Sequence, residues 1–324
     1  MRVLQRVVIF SLAVLPWSIS DAWPRSYPTR SIRLIVPVTP GGGVDFIARL
    51  AGARLSERLG QPVVIDNRPG AGNVLGSALA AKSAPDGHTL LLANNSSHGV
   101  AQARSDRLPY DTINDFTPIA VIATAHFLLA TRPSFPASSV KELVSLAKAK
   151  PGELNYGAAG SGTQTYLMGE LLKVATGAKI TNVAYQSAGP ATTALLSGEV
   201  QLSFLTTAGA LPLIQSGRLK PLAITGLKRS QLLPDVATLI EQGVAGFETG
   251  AWYALVGPAG IPSPIVRQLN GEIVAMMRDP GVQEKLTRQG AEPVGSTPEE
   301  CAETIRNELK KWTSLVQQTG IRFD

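Results

Sequence analysis

Apolar and polar positions along this chain alternate between a buried-strand pattern and a helical one. Residues 32–38, apolar apart from Arg33, form a buried-strand pattern, and Pro40-Gly41-Gly42-Gly43 stops it. Residues 44–59 follow with Ile47, Leu50, Ala51, Leu55 and Leu59, the i, i+3/i+4 stripe of a helix that Gly60 ends. Val63-Val64-Ile65 reads as the next strand, residues 66–72 as a loop, residues 74–81 as a helix and residues 90–93 as a third strand. Strand, helix, strand, helix, strand is the order of a mainly parallel α/β sheet.

The same style recurs further along without an internal repeat. Residues 119–124 and 127–131 predict two strands. Ser139-Val140-Lys141-Glu142 predicts a capping box opening a helix to Lys150. A strand over 154–158 leads through a small-residue loop at 157–162 into a helix over 163–175, closed by Gly177. Strands fit 180–185, 200–205 and 219–225, with a short helix at 191–196. The last third reads as helical: Ser263-Pro264 as cap and first-turn proline, then a capping box at Thr297-Pro298-Glu299-Glu300 opening a helix to about Thr319. Two α/β lobes follow from this, with no polar linker between them.

The first 22 residues alter the composition. Arg2 and Arg6 precede an apolar stretch over 7–19, then the small residues Ser18, Ser20 and Ala22. That order predicts a secretory signal peptide cut after Ser20 or Ala22, with a single N-terminal anchor as the alternative. Removing residues 1–22 takes away Arg2, Arg6 and Asp21, so the formal charge falls from +6 to +5. Neither value, without a basic run, predicts a nucleic-acid partner. The single Cys excludes an internal disulfide and multi-cysteine metal sites.

Common catalytic motifs are missing. Gly160-Ser161-Gly162-Thr163 is followed by no Lys-Ser or Lys-Thr, and Thr165 stands where a dinucleotide fingerprint needs its third glycine. There is no G-x-S-x-G elbow and no H-E-x-x-H, and His88, His98 and His126 are far apart in sequence. Isolated histidines read as structural or surface groups, and Cys301 as an inert helical thiol. No cofactor, metal or catalytic residue is expected.

Two glycine-rich strand-to-helix turns remain. Gly41, Gly42 and Gly43 open one helix and Gly160, Ser161, Gly162 and Thr163 another. Glycine lets backbone approach a ligand, and the free N–H groups of a first helical turn attract an anion. Facing each other across a cleft, two such loops suit a carboxylate; singly, each is also an ordinary tight turn. Asp45 fits a cap or a ligand contact, and Asn94-Asn95-Ser96-Ser97 a ligand loop or a surface turn. Tyr185 ends a strand before the next helix, and of Trp252-Tyr253 one is expected in the core and one on the cleft.

Taken together, several segments resemble the tripartite tricarboxylate transporter substrate-binding proteins, the Bug family of periplasmic receptors. They are Tyr27-Pro28, residues 38–45, Asp66-Asn67-Arg68-Pro69-Gly70-Ala71-Gly72, residues 85–91, Arg229-Ser230 with Leu233-Pro234-Asp235, and Trp252 with residues 257–262. The resemblance implies an α/β two-domain periplasmic binding protein of the type II, Venus-flytrap kind with two crossover strands. The division expected is 23–123 plus 251–324 for one lobe and 124–250 for the other. It implies a monomer in the periplasm that binds a small carboxylate (a di- or tricarboxylate, an amino acid or an aromatic acid) and serves membrane permease subunits. The ligand contacts expected are Gly41, Gly42, Gly43, Asp45, Asn94, Ser96, Gly160, Ser161, Gly162, Thr163 and Tyr185, partly through ordered water. Val44 lacks the hydroxyl frequent in that family and Tyr166 replaces a frequent His, both bearing on ligand identity. Asn73 in place of Gly and His88 in place of Tyr are expected to tune packing. The alternatives are an exported small-acid enzyme and a receptor for a membrane signalling partner.

Overall fold

The computed structural model describes residues 27–104, 108–160, 163–247 and 250–321; the expected signal peptide lies outside them. The first apolar run forms β1 (Ile32–Val36), which pairs in parallel with β2 (Val63–Asn67) and β3 (Thr89–Asn94). Between β1 and β2 runs α1 (Gly43–Leu59), whose buried Ile47, Ala48, Ala51 and Leu55 face the sheet. Gly60 ends it in the left-handed conformation that glycine adopts most readily. The helix α2 (Val74–Ala81) follows β2, and a π-helical turn over Ser96–Val100 and the short α3 (Ala101–Arg104) follow β3.

Sequence periodicity divides residues 116–131 in two, but the backbone is one strand, β4 (Phe116–Thr131). Its first part, to His126, pairs with β9 (Gly250–Pro258), and β10 (Ala291–Pro293) pairs at residues 123–125. From Phe127 onward its partners are β7 (Leu202–Thr206) and β8 (Lys220–Ile224). The pattern breaks at Ala125-His126 because the strand leaves one sheet and enters another there. The second sheet continues from β7 to β5 (Leu154–Ala158) and β6 (Ile180–Ala184), all parallel. Each lobe's parallel strands therefore meet antiparallel crossing strands, and the strand order is β2-β1-β3-β9-β4-β7-β5-β6.

The second lobe carries α4 (Val140–Ala149), α5 (Gln164–Thr176), α6 (Ala188–Ser197) and α7 (Thr207–Gln215). Ser139 caps α4 through the Glu142 N–H, but the Glu142 carboxylate accepts from Ser138 N–H, so the box is not reciprocal. Pattern reading misses α7 because Gly209 and Pro212 interrupt its sequence. The chain then returns to the first lobe through β9, α8 (Ser263–Met277), α9 (Pro280–Arg288) and α10 (Pro298–Thr319). Pro262, not Ser263, occupies the cap of α8, whereas the Thr297–Glu300 box of α10 is reciprocal.

Two buried contacts hold the site-bearing loops. On α10, Trp312 is fully buried and its Nε1–H donates to Glu308 Oε1, which also accepts from Asn95 Nδ2. That anchors the loop after β3. On α5, Gly169 lies so close to Tyr156 that a Cβ there would sit 2.1 Å from the ring, and the Tyr156 hydroxyl donates to Glu170 at 2.7 Å. The fully buried ring cannot swing away, so overlap outweighs the roughly 1 kcal/mol gain in helix propensity. Gly169→Ala is expected to lower unfolding free energy by about 1–3 kcal/mol, read as an earlier midpoint in urea. An unchanged or later midpoint would contradict this packing.

Candidate functional site

Both glycine loops sit at the carboxyl ends of parallel strands, where open α/β sheets bind ligands. The lobes touch there. The Thr39 and Ser187 hydroxyls are hydrogen-bonded, and Ser96 Oγ accepts from the Gln164 N–H at 3.1 Å. A Cβ on Gly43 would lie 3.1 Å from both Ala208 Cβ and Thr206 Oγ1. Glycine at 43 thus lets the first lobe's α1 pack directly on the start of α7.

Between the lobes lies a cavity of about 70 Å³. Its floor is made by the crossing strands, through Phe127, Ala251 and Tyr253. Val38, Val44, Asn73, Asn94, Asn95 and Ser96 wall it on one side; Ala159, Thr163, Gln164, Thr165, Ser187, Ala188 and Thr206 wall it on the other. No Asp, Glu, Lys or Arg is among these lining residues. A larger outer groove of about 820 Å³ adjoins it, sharing Ala188 and Thr206 and lined by Gly41, Gly42, Gly43 and Tyr185.

The expected site residues therefore divide. Asn94, Ser96 and Thr163 come together in the inner cavity; Gly41, Gly42, Gly43 and Tyr185 line the groove. Gly160 lies behind Thr163, its carbonyl accepting from the Thr163 hydroxyl at 3.0 Å and its φ of +95° suiting glycine alone. Ser161 and Gly162 lie outside the described residues. Asn94 Oδ1 accepts from the N–H groups of Ser96 and Ser97 and from Asn73 Nδ2, which shapes the turn after β3. Asn73, expected to tune packing, is thus on the cavity wall, whereas Tyr166 is buried in the core. His88 does pack, edge-on against Tyr27. Sequence reading gave no sign of Phe127 or Ala251, since apolar residues inside strands read as core.

Positive potential at the site comes from backbone, while Glu199, which accepts from the Tyr185 hydroxyl at 2.7 Å, is the acidic residue lining the outer groove. Gly42 is the cap of α1 and Ser187 that of α6, and neither receives a side-chain cap, so first-turn N–H groups of both helices stay free of side-chain acceptors. Thr163 caps α5 by accepting from the Tyr166 N–H, and Thr206 caps α7. Helix amino ends carry partial positive charge, so these termini favour an anion without a cationic side chain.

Asp45 faces inward from α1. Its carboxylate accepts from Gly41 N–H at 2.9 Å, Arg49 Nε at 2.8 Å and Asn67 Nδ2 at 2.9 Å. Burial works to raise its pKa, yet the hydrogen bonds from Arg49, Gly41 and Asn67 outweigh burial and hold it below the usual carboxylate value. Elsewhere, burial pushes His98 down to about 3 and Cys301 up to about 12, so neither titrates near neutrality.

Two α/β lobes joined by crossing strands, with a cavity between them, define a two-domain periplasmic binding protein. The sequence profile of the tripartite tricarboxylate transporter family receptor matches residues 47–321, and the chain belongs to that family. Protein BugT of Bordetella pertussis is 37% identical over 299 residues, 92% of each chain. A Rhodopseudomonas palustris protein solved with adipate is 37% identical, with a TM-score of 0.88 over 92% of this chain and 99% of its own. MatC from the same organism, solved with bound malate, is 34% identical, with a TM-score of 0.86 over 90% and 100%.

The Asp45 network carries a pH signature. A depressed folded-state pKa contributes stability above the unfolded value near 4 and loses it as pH falls through the lower folded value. Asp45→Asn is expected to cost about 1–3 kcal/mol at pH 7, with the gap from wild type closing below about pH 4. A gap that stays constant from pH 7 to pH 3 in denaturant titrations would contradict the charged network.

Proposed function

We propose that this protein is a periplasmic solute-binding receptor that closes its two lobes on a small carboxylate and delivers it to a tripartite tricarboxylate-type membrane permease. It acts by binding and release, with no bond made or broken. The observation that carries this is the inter-lobe cavity itself, free of charged side chains and bordered by helix amino ends from both lobes. Relatives solved with adipate and with malate support the same ligand class.

In this reading the lobes are residues 23–123 with 251–324, and 124–250, and β4 and the return into β9 bend as the cleft opens. Gly42 and Gly43 offer backbone N–H groups to one end of the acid, and Gly41, whose own N–H is held by Asp45, shapes the loop that presents them. Gly160, Ser161, Gly162 and Thr163 present the second lobe's loop, Asn94 and Ser96 the inner polar wall, and Tyr185 the rim. Asp45 serves by fixing the Gly41 turn. A ligand touching both lobes shifts the population toward the closed form by its differential affinity.

A thermal-shift panel of small carboxylates on ligand-stripped protein tests this. An acid present at 100 times its dissociation constant adds about 2.7 kcal/mol of stability, a shift of several degrees. The φ of Gly42 is −92°, and a Cβ there meets nothing within 4 Å. Gly42→Val is therefore expected to fold, at a cost of about 1 kcal/mol for the poorer helix cap, while losing the ligand-induced shift. Sugars or amines shifting the melt where carboxylates do not would contradict the receptor reading, and a shift retained in the variant would remove the glycine loop from the site.

A further inference from the structure

Glu308 lines neither cavity, yet it holds a residue that does. It sits half-buried on α10, a helix that supplies no residue to the inner cavity or the outer groove. Its Oε1 accepts from Asn95 Nδ2 at 2.7 Å and from Trp312 Nε1. The π-helical turn after β3 is pressed against this pair. A Cβ on Gly99 would stand 2.8 Å from Glu308 Cγ and 3.1 Å from Trp312 Cδ1, so glycine is what admits the approach.

Asn95 is 3% exposed and lines the inner cavity. The backbone ladder between β3 and β9 ends one residue earlier, at the pair Asn94 and Tyr253. Beyond it the Asn95 side chain supplies the next rung. Its Oδ1 accepts from the Trp252 N–H at 2.9 Å, and its Nδ2 donates to the Gly250 carbonyl at 3.0 Å. Gly250 faces His126 in the register, at the point where β4 changes sheets. The next residue, Ser96, carries a contact that joins the lobes, its Oγ accepting from the Gln164 N–H at 3.1 Å. One buried amide thus ties the Ser96 turn to the root of the returning strand. An ionised carboxylate only accepts, so Glu308 admits the NH2 edge of that amide and not its oxygen. Without an acceptor there, a buried N–H is left unpaired and the amide shifts to find a partner.

Building on the receptor reading, we infer that Glu308 is a positioning residue for the ligand site: it fixes the Asn95 amide, which seats the Ser96 turn against the root of β9. Ligand affinity then depends on a carboxylate that lies outside the cleft. The other bond on that carboxylate, from Trp312, serves the packing of α10 and not the site. Affinity and stability should therefore respond to different atoms of the same cluster.

Calorimetric titration with succinate, malate and adipate, run beside melting curves at a temperature where each variant is folded, tests this. Glu308→Leu keeps the bulk and removes the acceptor; it should bind the acids that wild type binds roughly 2- to 30-fold more weakly. Glu308→Gln keeps an oxygen toward Asn95 and should bind as wild type does. Trp312→Phe removes the second donor with part of the buried ring; it should melt lower than wild type and bind unchanged. A role in packing alone would instead rank affinity by melting temperature. Affinity unchanged in Glu308→Leu, not restored in Glu308→Gln, or lost equally in Trp312→Phe overturns the inference and leaves the receptor reading standing. Should Glu308→Leu not fold, Glu308→Asp, one methylene short of Asn95, is read in the same way. Wild type that binds none of the three acids overturns the inference together with that reading.

Discussion

One strand belonging to two sheets constrains everything else here. Over sixteen residues β4 pairs first with β9 and then with β7 and β8, changing partners between His126 and Phe127. The lobes therefore share one continuous strand, and its partners change at the boundary between them. The same crossing places Phe127, Ala251 and Tyr253 at the bottom of the cleft. On the proposed function, hinge and binding floor are one piece of backbone, which would couple a ligand reaching the floor to closure.

The walls follow from the parallel strands on either side of that crossing. Their carboxyl ends open toward the cleft, and each is followed by a helix whose amino end points back at it. Small residues at these turns let the loops meet: Gly43 against the start of α7, Thr39 against Ser187, Ser96 against the first N–H of α5. Helices further out hold the turns in place. The Glu308–Trp312 pair on α10 grips Asn95, and Asp45 grips Gly41 from within α1. The result concentrates hydrogen-bond donors and helix dipoles where no cationic side chain stands.

Much of this was legible in the sequence because local chemistry decided it. Gly60 and Gly177 end their helices in the left-handed conformation, and Thr297 makes the box its spacing foretells. Asn94, Ser96 and Thr163 were identifiable as polar residues ending strands or opening helices. What escaped was decided by tertiary partners. The unity of β4 was hidden because each half is apolar toward a different sheet, and α7 was hidden because Pro212 and Gly209 are tolerated only where the second lobe packs on that helix. Tyr253 was visible only as one of an aromatic pair. That Tyr253, and not Trp252, lines the cavity depends on the register of β9 against β3.

The central claim is that an anion is held between the lobes by backbone and neutral side-chain donors. A crystal structure with a bound small carboxylate tests it most directly. Carboxylate oxygens are expected within hydrogen-bond distance of N–H groups at Gly42 and Gly43 and at the start of α6, with the ligand resting on the crossing strands. A carboxylate paired instead with an Arg or Lys side chain, or seated outside the inter-lobe cleft, would contradict it.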